Sequence, residues 1–288
     1  MFSATPPVAL NGIAKISIMT SLRRCLATVI LAVVACRVGA AGPAPTVFLE
    51  ELTWTELRDE IRAGKTTVIV PVGGTEQSGP HMVLGKHNVR ARVLAGRIAA
   101  GLGNALVAPV IAYVPEGSID PPAGHMRFAG TISIPESVFE ATLEGAARSF
   151  RRAGFRDIVL IGDHGGYQKS LTKVAGKLDR EWAASPVRVH AVVEYYRSAD
   201  SGFAQVLRSQ GLSDEEIGTH AGAADTSLSL GVDELLVRTA RLKDGSALDS
   251  ASGVHGDPRR ASVAAGRAGI DLIVMRTREA IQREVARR

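Results

Sequence analysis

Residues 66–88, TTVIVPVGGTEQSGPHMVLGKHN, constrain this chain more than any other stretch. They open on a β-branched apolar run, residues 66–72, of the kind that fills a parallel strand covered on both faces. The run breaks at Gly73-Gly74 into a loop carrying Glu76, Gln77, His81 and His87. In open α/β sheets ligands bind beyond the carboxyl ends of the strands, so this loop stands where a site is expected. A carboxylate and two imidazoles within twelve residues suit a divalent cation such as zinc, manganese or iron. The competing reading is turn chemistry at Gly-Gly, Ser-Gly-Pro and Leu-Gly, with histidines that merely face solvent.

The remaining pattern is regular. Thr53-Trp54-Thr55-Glu56 reads as a capping box opening a short helix that stops at Gly64. Val89, Val93, Ile98 and Leu102 mark a helix starting at residue 88 or 89, with Gly103 beyond its end. Residues 105–113, 157–161 and 187–193 read as three more strands. Pro135 suits the first turn of a helix that Gly154 ends, and residues 168–182 form another. Further helices are expected from Ser213, up to about Arg238, and after Gly256-Asp257-Pro258. Strands alternating with helices imply βαβ units, hence an α/β fold: a single-domain, three-layer α/β/α arrangement with a mainly parallel sheet. With no second core or linker inside residues 46–288, one domain is expected over residues 42–288.

Two of the strands, 66–72 and 157–161, end in Gly-rich loops that carry a histidine. If they are parallel, Glu76, His87 and His164 converge on one edge of the sheet. Three N and O ligands with a position left for water make a hydrolytic metal site. The alternative for Asp163-His164-Gly165-Gly166 is a phosphate-binding turn, against which its acid and its lack of Lys or Arg both argue. A long Gly- and Pro-rich loop, residues 115–129, carries Glu116, Asp120 and His125; loops of this length tend to be functional.

The pI near 9.5 invites a nucleic-acid reading, but residues 1–49 hold Lys15, Arg23, Arg24 and Arg37 without any acid, four of the formal five positive charges. The rest is close to neutral, and no nucleic-acid partner is expected. Residues 1–41 read as an export leader: Arg23-Arg24 precede an apolar run, residues 25–36, too short to span a bilayer, followed by Gly39, Ala40 and Ala41. Met19 reads as a better start than Met1. Cleavage after Ala40 competes with a lipobox reading that makes Cys36 a lipid-anchored first residue; either way a periplasmic protein without a transmembrane span in its mature chain is expected. Cys25 and Cys36 both lie in this leader, which leaves the mature chain no thiol chemistry.

The segment Pro71-Val72-Gly73-Gly74-Thr75-Glu76-Gln77-Ser78-Gly79-Pro80-His81 resembles the opening motif of the creatininase (creatinine amidohydrolase) family. Phe128-Ala129-Gly130-Thr131, Asp163-His164-Gly165-Gly166, and His220-Ala221-Gly222 with Asp225-Thr226-Ser227 resemble its later motifs in the same order. The resemblance implies an α/β metal-dependent amidohydrolase, often with two metals and often a homo-oligomer. It implies Glu76, His87 and His164 as metal ligands, His220 as proton donor, and Asp225 as base or orienting acid with Asp163 beside it. Gln77, His81, His125, Thr131, Gly165 and Gly166 would then surround the substrate, His81 mainly by supporting its loop.

The departures from the family pattern concern the metals. Ser78 stands where the family has a histidine, His87 where it has an aspartate, Gly166 at a carboxylate-or-glycine position, and Asp225 in place of a glutamate. A second cation would lack ligands at Ser78 and Gly166, and it cannot share His87, because a neutral imidazole offers one lone pair. One divalent metal (Zn, Mn or Fe) per chain is therefore expected. The expected function is an exported hydrolase that cleaves a C–N bond of a small amide or cyclic amide with a metal-activated water. The alternative is a non-catalytic periplasmic ligand-binding protein that kept the fold and lost part of the metal site.

Overall fold

Apolar residues of alternating orientation build four strands: β1 (Thr67–Val72), β2 (Ala105–Val107), β3 (Asp157–Gly162) and β4 (Arg188–Ala191). They pair in the order β2-β1-β3-β4, every pair parallel. The computed structural model describes residue 1 and residues 46–243, 245 and 247–287. The expected leader, including Met19, Cys36 and Ala40, and the start of the junction after it lie outside the described residues. Ala44–Arg288 is one compact unit. No helix among the described residues is long and apolar enough to cross a membrane.

The helices are α1 (Trp54–Arg62), α2 (Lys86–Leu102), α3 (Glu136–Ala153), α4 (Gln168–Glu181), α5 (Glu194–Arg197), α6 (Phe203–Ser209), α7 (Asp214–Ile217), α8 (Ala223–Val232) and α9 (Val263–Ala286). Period-two alternation sends Val68, Val70, Leu106, Ile158 and Leu160 to one face of the sheet, against Phe139 and Leu143 of α3 and Leu171 and Val174 of α4. Ile69, Val107, Val159 and Ile161 point to the other face, against Leu94 and Ile98 of α2, Leu228 of α8 and Ile270 of α9. The result is the expected three-layer α/β/α fold. Each such fully buried side chain stabilises it by about 1.5–3 kcal/mol.

Several elements differ from the sequence reading. β2 stops at Val107 because Pro109 has no N–H to give the ladder, and Ile111 returns only as an isolated bridge to Val72. The stretch after β4 is helical: α5, a π turn (Ser198–Gly202) and α6 run on from one another, with Tyr195, Phe203 and Leu207 buried. α8 ends at Val232, and the chain goes on in a 3-10 turn (Glu234–Leu236) instead of helix as far as Arg238.

The connectivity places the site. The chain leaves β1 for β2 on one side and leaves β3 for β4 on the other, although β1 and β3 are neighbours paired from Thr67↔Asp157 to Val72↔Gly162. The loops after these two strands therefore open on one crevice at the point where the winding reverses.

α8 and α9 cross with their backbones touching, since a Cβ on Gly266 would overlap the Ser227 carbonyl oxygen and one on Gly231 would lie 2.6 Å from Gly266. Gly145, in α3, has open space around it. Gly266→Ala is expected to destabilise by about 1–3 kcal/mol or more, and Gly145→Ala to stabilise by about 0.4–1 kcal/mol. Thermal or urea unfolding of the two variants checks both signs.

Candidate metal centre

Three donors converge at the crevice. Glu76 is fully buried just beyond β1, and its N–H donates to Leu84 O at 3.1 Å, which closes the loop. Its Oε2 has no protein hydrogen-bond partner and lies 3.6 Å from His125 Nε2 and 3.7 Å from His164 Nε2. One ligand atom from each of the three residues falls within 4.8 Å of the others. Tetrahedral ligands at about 2.1 Å from a zinc lie roughly 3.4 Å from one another, so this set fits one cation. The far nitrogen of each ring is attended too. His125 Nδ1 is 2.8 Å from the Gln77 side-chain amide, and His164 Nδ1 is 3.2 Å from the Gly166 N–H and 3.6 Å from Glu116 Oε2. Both Gln77 Nε2 and the Gly166 N–H are donors, so each Nδ1 accepts here, and a cation at Nε2 would require the ring proton to sit on Nδ1 instead.

His87, expected as a ligand, lies among charged groups instead. Its Nε2 is 2.8 Å from Glu76 Oε1 and 2.9 Å from Lys86 Nζ; its Nδ1 is 2.5 Å from Asp163 Oδ2 and 3.0 Å from Arg90 Nη2. Both nitrogens are engaged, and the place expected for His87 in the triad is filled by His125, which the sequence reading had set beside the substrate. Asp163 and Asp225 are likewise committed. Asp163 accepts from Arg90 Nε at 2.7 Å and Tyr195 OH at 2.7 Å. Asp225 accepts from Arg90 Nη1 at 2.8 Å, Lys86 Nζ at 2.6 Å and the Ala221 N–H at 3.2 Å. Burial would raise both carboxyls, but for Asp163 the Arg90 charge, and for Asp225 those of Lys86 and Arg90, outweigh it and hold them below the usual range. They are anchors with no oxygen free to act as a base.

His220 stands across the site. Ala221 takes a left-handed φ of 57°, a costly conformation for a side-chain-bearing residue, at the corner that turns His220 inward. His220 Nε2 lies 3.0 Å from the Gln77 carbonyl and its Nδ1 3.8 Å from Glu76 Oε1. The ring sits 4.3 Å from that of His125. Burial, then the Lys86 charge, pushes its pKa down to about 4, so it is neutral near pH 7. Burial pushes His164 down to about 4 as well, so it too is neutral near pH 7.

The other expected residues divide. The Gln77 N–H donates to Thr131 Oγ1 at 3.0 Å, so both brace the loop while the Gln77 amide reaches the histidines. His81 is buried behind the loop with Nε2 3.0 Å from Thr226 Oγ1, a supporting place as expected. At Gly165 a Cβ would lie 2.6 Å from Tyr196 OH, and at Gly166 one would lie 3.1 Å from the His164 ring. Two spaces meet at His164 and His220: a cavity of about 150 Å³ reaching Lys86, Arg90 and Asp225, and a cleft of about 870 Å³ lined by Gln77, His125 and Phe128.

Sequence reasoning missed Lys86, Arg90 and Glu116 as members of the site. A signal existed for the first two: basic residues opening a helix run against its dipole and need anions to hold them. Glu116 is buried, with neither oxygen hydrogen-bonded to protein. Burial and then the Glu76 charge push its pKa up to about 9, so it keeps its proton. Glu76 stays ionised because His87 and Lys86 outweigh its burial.

The family model described as Creatininase, creatinine amidohydrolase, matches residues 50–281. The creatinine amidohydrolase of Pseudomonas putida is 31% identical over 205 residues, covering 69% of this chain and 76% of its own. The mycofactocin precursor peptide peptidase of Mycobacterium tuberculosis (strain CDC 1551 / Oshkosh) is 30% identical over 226 residues, covering 70% and 78%. A crystal structure of creatinine amidohydrolase (creatininase) superposes with a TM-score of 0.68 at 26% identity, covering 84% of this chain and 99% of that one. Other creatininase structures of like similarity are described as a Zn-Zn type, an Mn form and a creatine complex.

His81, His164 and His220 are each held near pH 4 when folded, against about 6.5 when unfolded. The unfolded chain therefore binds more protons between these values, and stability falls as pH drops through them, by up to about 1.4 kcal/mol per pH unit per histidine. Glu116, raised to about 9, has the opposite slope above its unfolded value. Metal-free protein should thus be most stable near about pH 6.5 and weaken on both sides. Urea unfolding between pH 4.5 and 9 measures this, and His81→Gln should remove roughly a third of the histidine slope. A curve that rises steadily towards pH 9 contradicts the assignment.

Proposed function

The chain belongs to the creatininase (creatinine amidohydrolase) family of hydrolases acting on C–N bonds, and from this we propose that it hydrolyses a small amide or cyclic amide at Glu76, His125 and His164. The observation that carries the reading is the buried, ionised Glu76 Oε2, which has no hydrogen-bond partner and faces two imidazole Nε2 atoms at 3.6 and 3.7 Å. A divalent cation held by these residues would supply Lewis-acid polarisation of the scissile carbonyl and an acidified water.

The chain's own groups provide the rest. The cleft lined by Gln77, His125, Phe128, His164 and His220 gives an amide access to the triad. His220, neutral and with Nε2 turned to the Gln77 carbonyl, keeps Nδ1 for a proton. It accepts that proton from the attacking water and returns it to the leaving nitrogen, which must be protonated to depart. Glu116 holds a proton beside His164 that can offset the charge building on the substrate. Arg23-Arg24 and the apolar run after them support export to the periplasm, free or anchored at Cys36.

Protein loaded with zinc, manganese or iron is expected to turn over members of a panel of small amides, lactams and formamides. His164→Ala should lower kcat/KM by more than the roughly 10–100-fold that losing an outer partner of a metal ligand costs. Full metal content with no turnover in any of the three forms would favour the ligand-binding alternative. Mass spectrometry of the mature N-terminus tests export, for which an intact Met1 or Met19 is the contrary result.

A further inference from the structure

We infer that Lys86 supplies, as a fixed ammonium, the second positive charge of this centre, and that it restricts the chain to one divalent cation at a place where its donors would otherwise hold two. The inference rests on the proposed metal-dependent reading and adds to it the chemistry of the other half of the site.

The Glu76 carboxylate faces two ways. Its Oε2 turns to His125 and His164, and its Oε1 turns to His87 and Lys86. Three donor atoms converge on Lys86 Nζ: Asp225 Oδ2 at 2.6 Å, His87 Nε2 at 2.9 Å and Glu76 Oε1 at 3.5 Å. Two carboxylate oxygens and an imidazole nitrogen are also a ligand set for a divalent cation. The ammonium meets Asp225 Oδ2 and His87 Nε2 at hydrogen-bond distances and Glu76 Oε1 as an ion pair, where a metal would draw all three in to about 2.1 Å. The Lys86 side chain is fully buried, so Nζ is not a visitor from solvent. Any second cation at these donors would have to displace it.

Charge gives the same result. Lys86 and Arg90 already pair with Glu76, Asp163 and Asp225 in this half of the site. A second dication would have to enter against these two fixed cations, whereas removing Lys86 takes one of them away and frees three donors.

The test is metal content after equilibrating metal-free protein with excess Mn²⁺ or Zn²⁺ and removing loosely held ions. The unaltered chain should retain one ion and Lys86→Met close to two, with folding followed by circular dichroism. Two ions on the unaltered chain, or one on a folded Lys86→Met, would overturn the inference. If Lys86→Met does not fold, His125→Ala decides with the lysine in place. It should retain no ion, because Lys86 still occupies the other donors, and one tightly held ion there would overturn the inference. No ion on the unaltered chain would be a separate failure, that of the metal-dependent reading itself.

Discussion

The buried guanidinium of Arg90 holds this site in register. It donates to Asp163 at the end of β3 and to Asp225 in α8 from its own place in α2, so three elements distant in sequence meet at one planar group. Burial alone would disfavour its charge, and the two carboxylates restore it. Such a cluster does not add much net stability, because desolvating the ions cancels most of their attraction, yet removing one member strands the others at a cost of about 3–5 kcal/mol. What the arrangement gains is aim. Asp163 holds the His87 ring and Asp225 holds Lys86, and both of these contact Glu76 Oε1.

Ionisation divides the site into fixed charges and neutral carriers. Two glutamates stand side by side, one kept ionised by His87 and Lys86, the other protonated by burial and by its neighbour's charge. The histidines facing them are low-affinity bases that stay neutral at physiological pH. A charged imidazole could not hold a cation and could not accept a proton from water. Burial sets the states of Glu116, His164 and His220 first, with the Glu76 charge second for Glu116 and the Lys86 charge second for His220.

Much of this was legible in the chain. β1 and β3 announce themselves as continuous apolar runs, and the Gly-rich loops after them bring Glu76 and His164 to the shared edge. The choice between His87 and His125 was not legible, because ring direction is decided by Asp163, 76 residues away from His87, and by the Gln77 amide, 48 residues from His125. The burial of Lys86 and Arg90 was not legible, because it depends on Asp225, 139 and 135 residues distant. α5 and α6 escaped notice because the mainly polar residues 197–201 hide the spacing of Tyr195, Phe203 and Leu207. Local pattern reports what a segment can form, and the partners that turn a side chain inward are a property of the whole fold.

A lysine and a metal ion are not equivalent second cations. The ammonium carries a single charge, cannot take water as a ligand, and acts only along its three N–H directions. Under the proposed reading, activation of water would fall entirely on a cation held by Glu76, His125 and His164, and proton transfer on His220 and Glu116. A centre of this kind forgoes the clamp that two metals place on attacking and leaving atoms. In exchange, its charge needs no metal supply and cannot dissociate. Under the same reading bond polarisation would come from one side only, so an amide would have to be placed by contacts in the cleft between His125 and His220, and selectivity would rest on Gln77, Phe128 and Arg127 lining it.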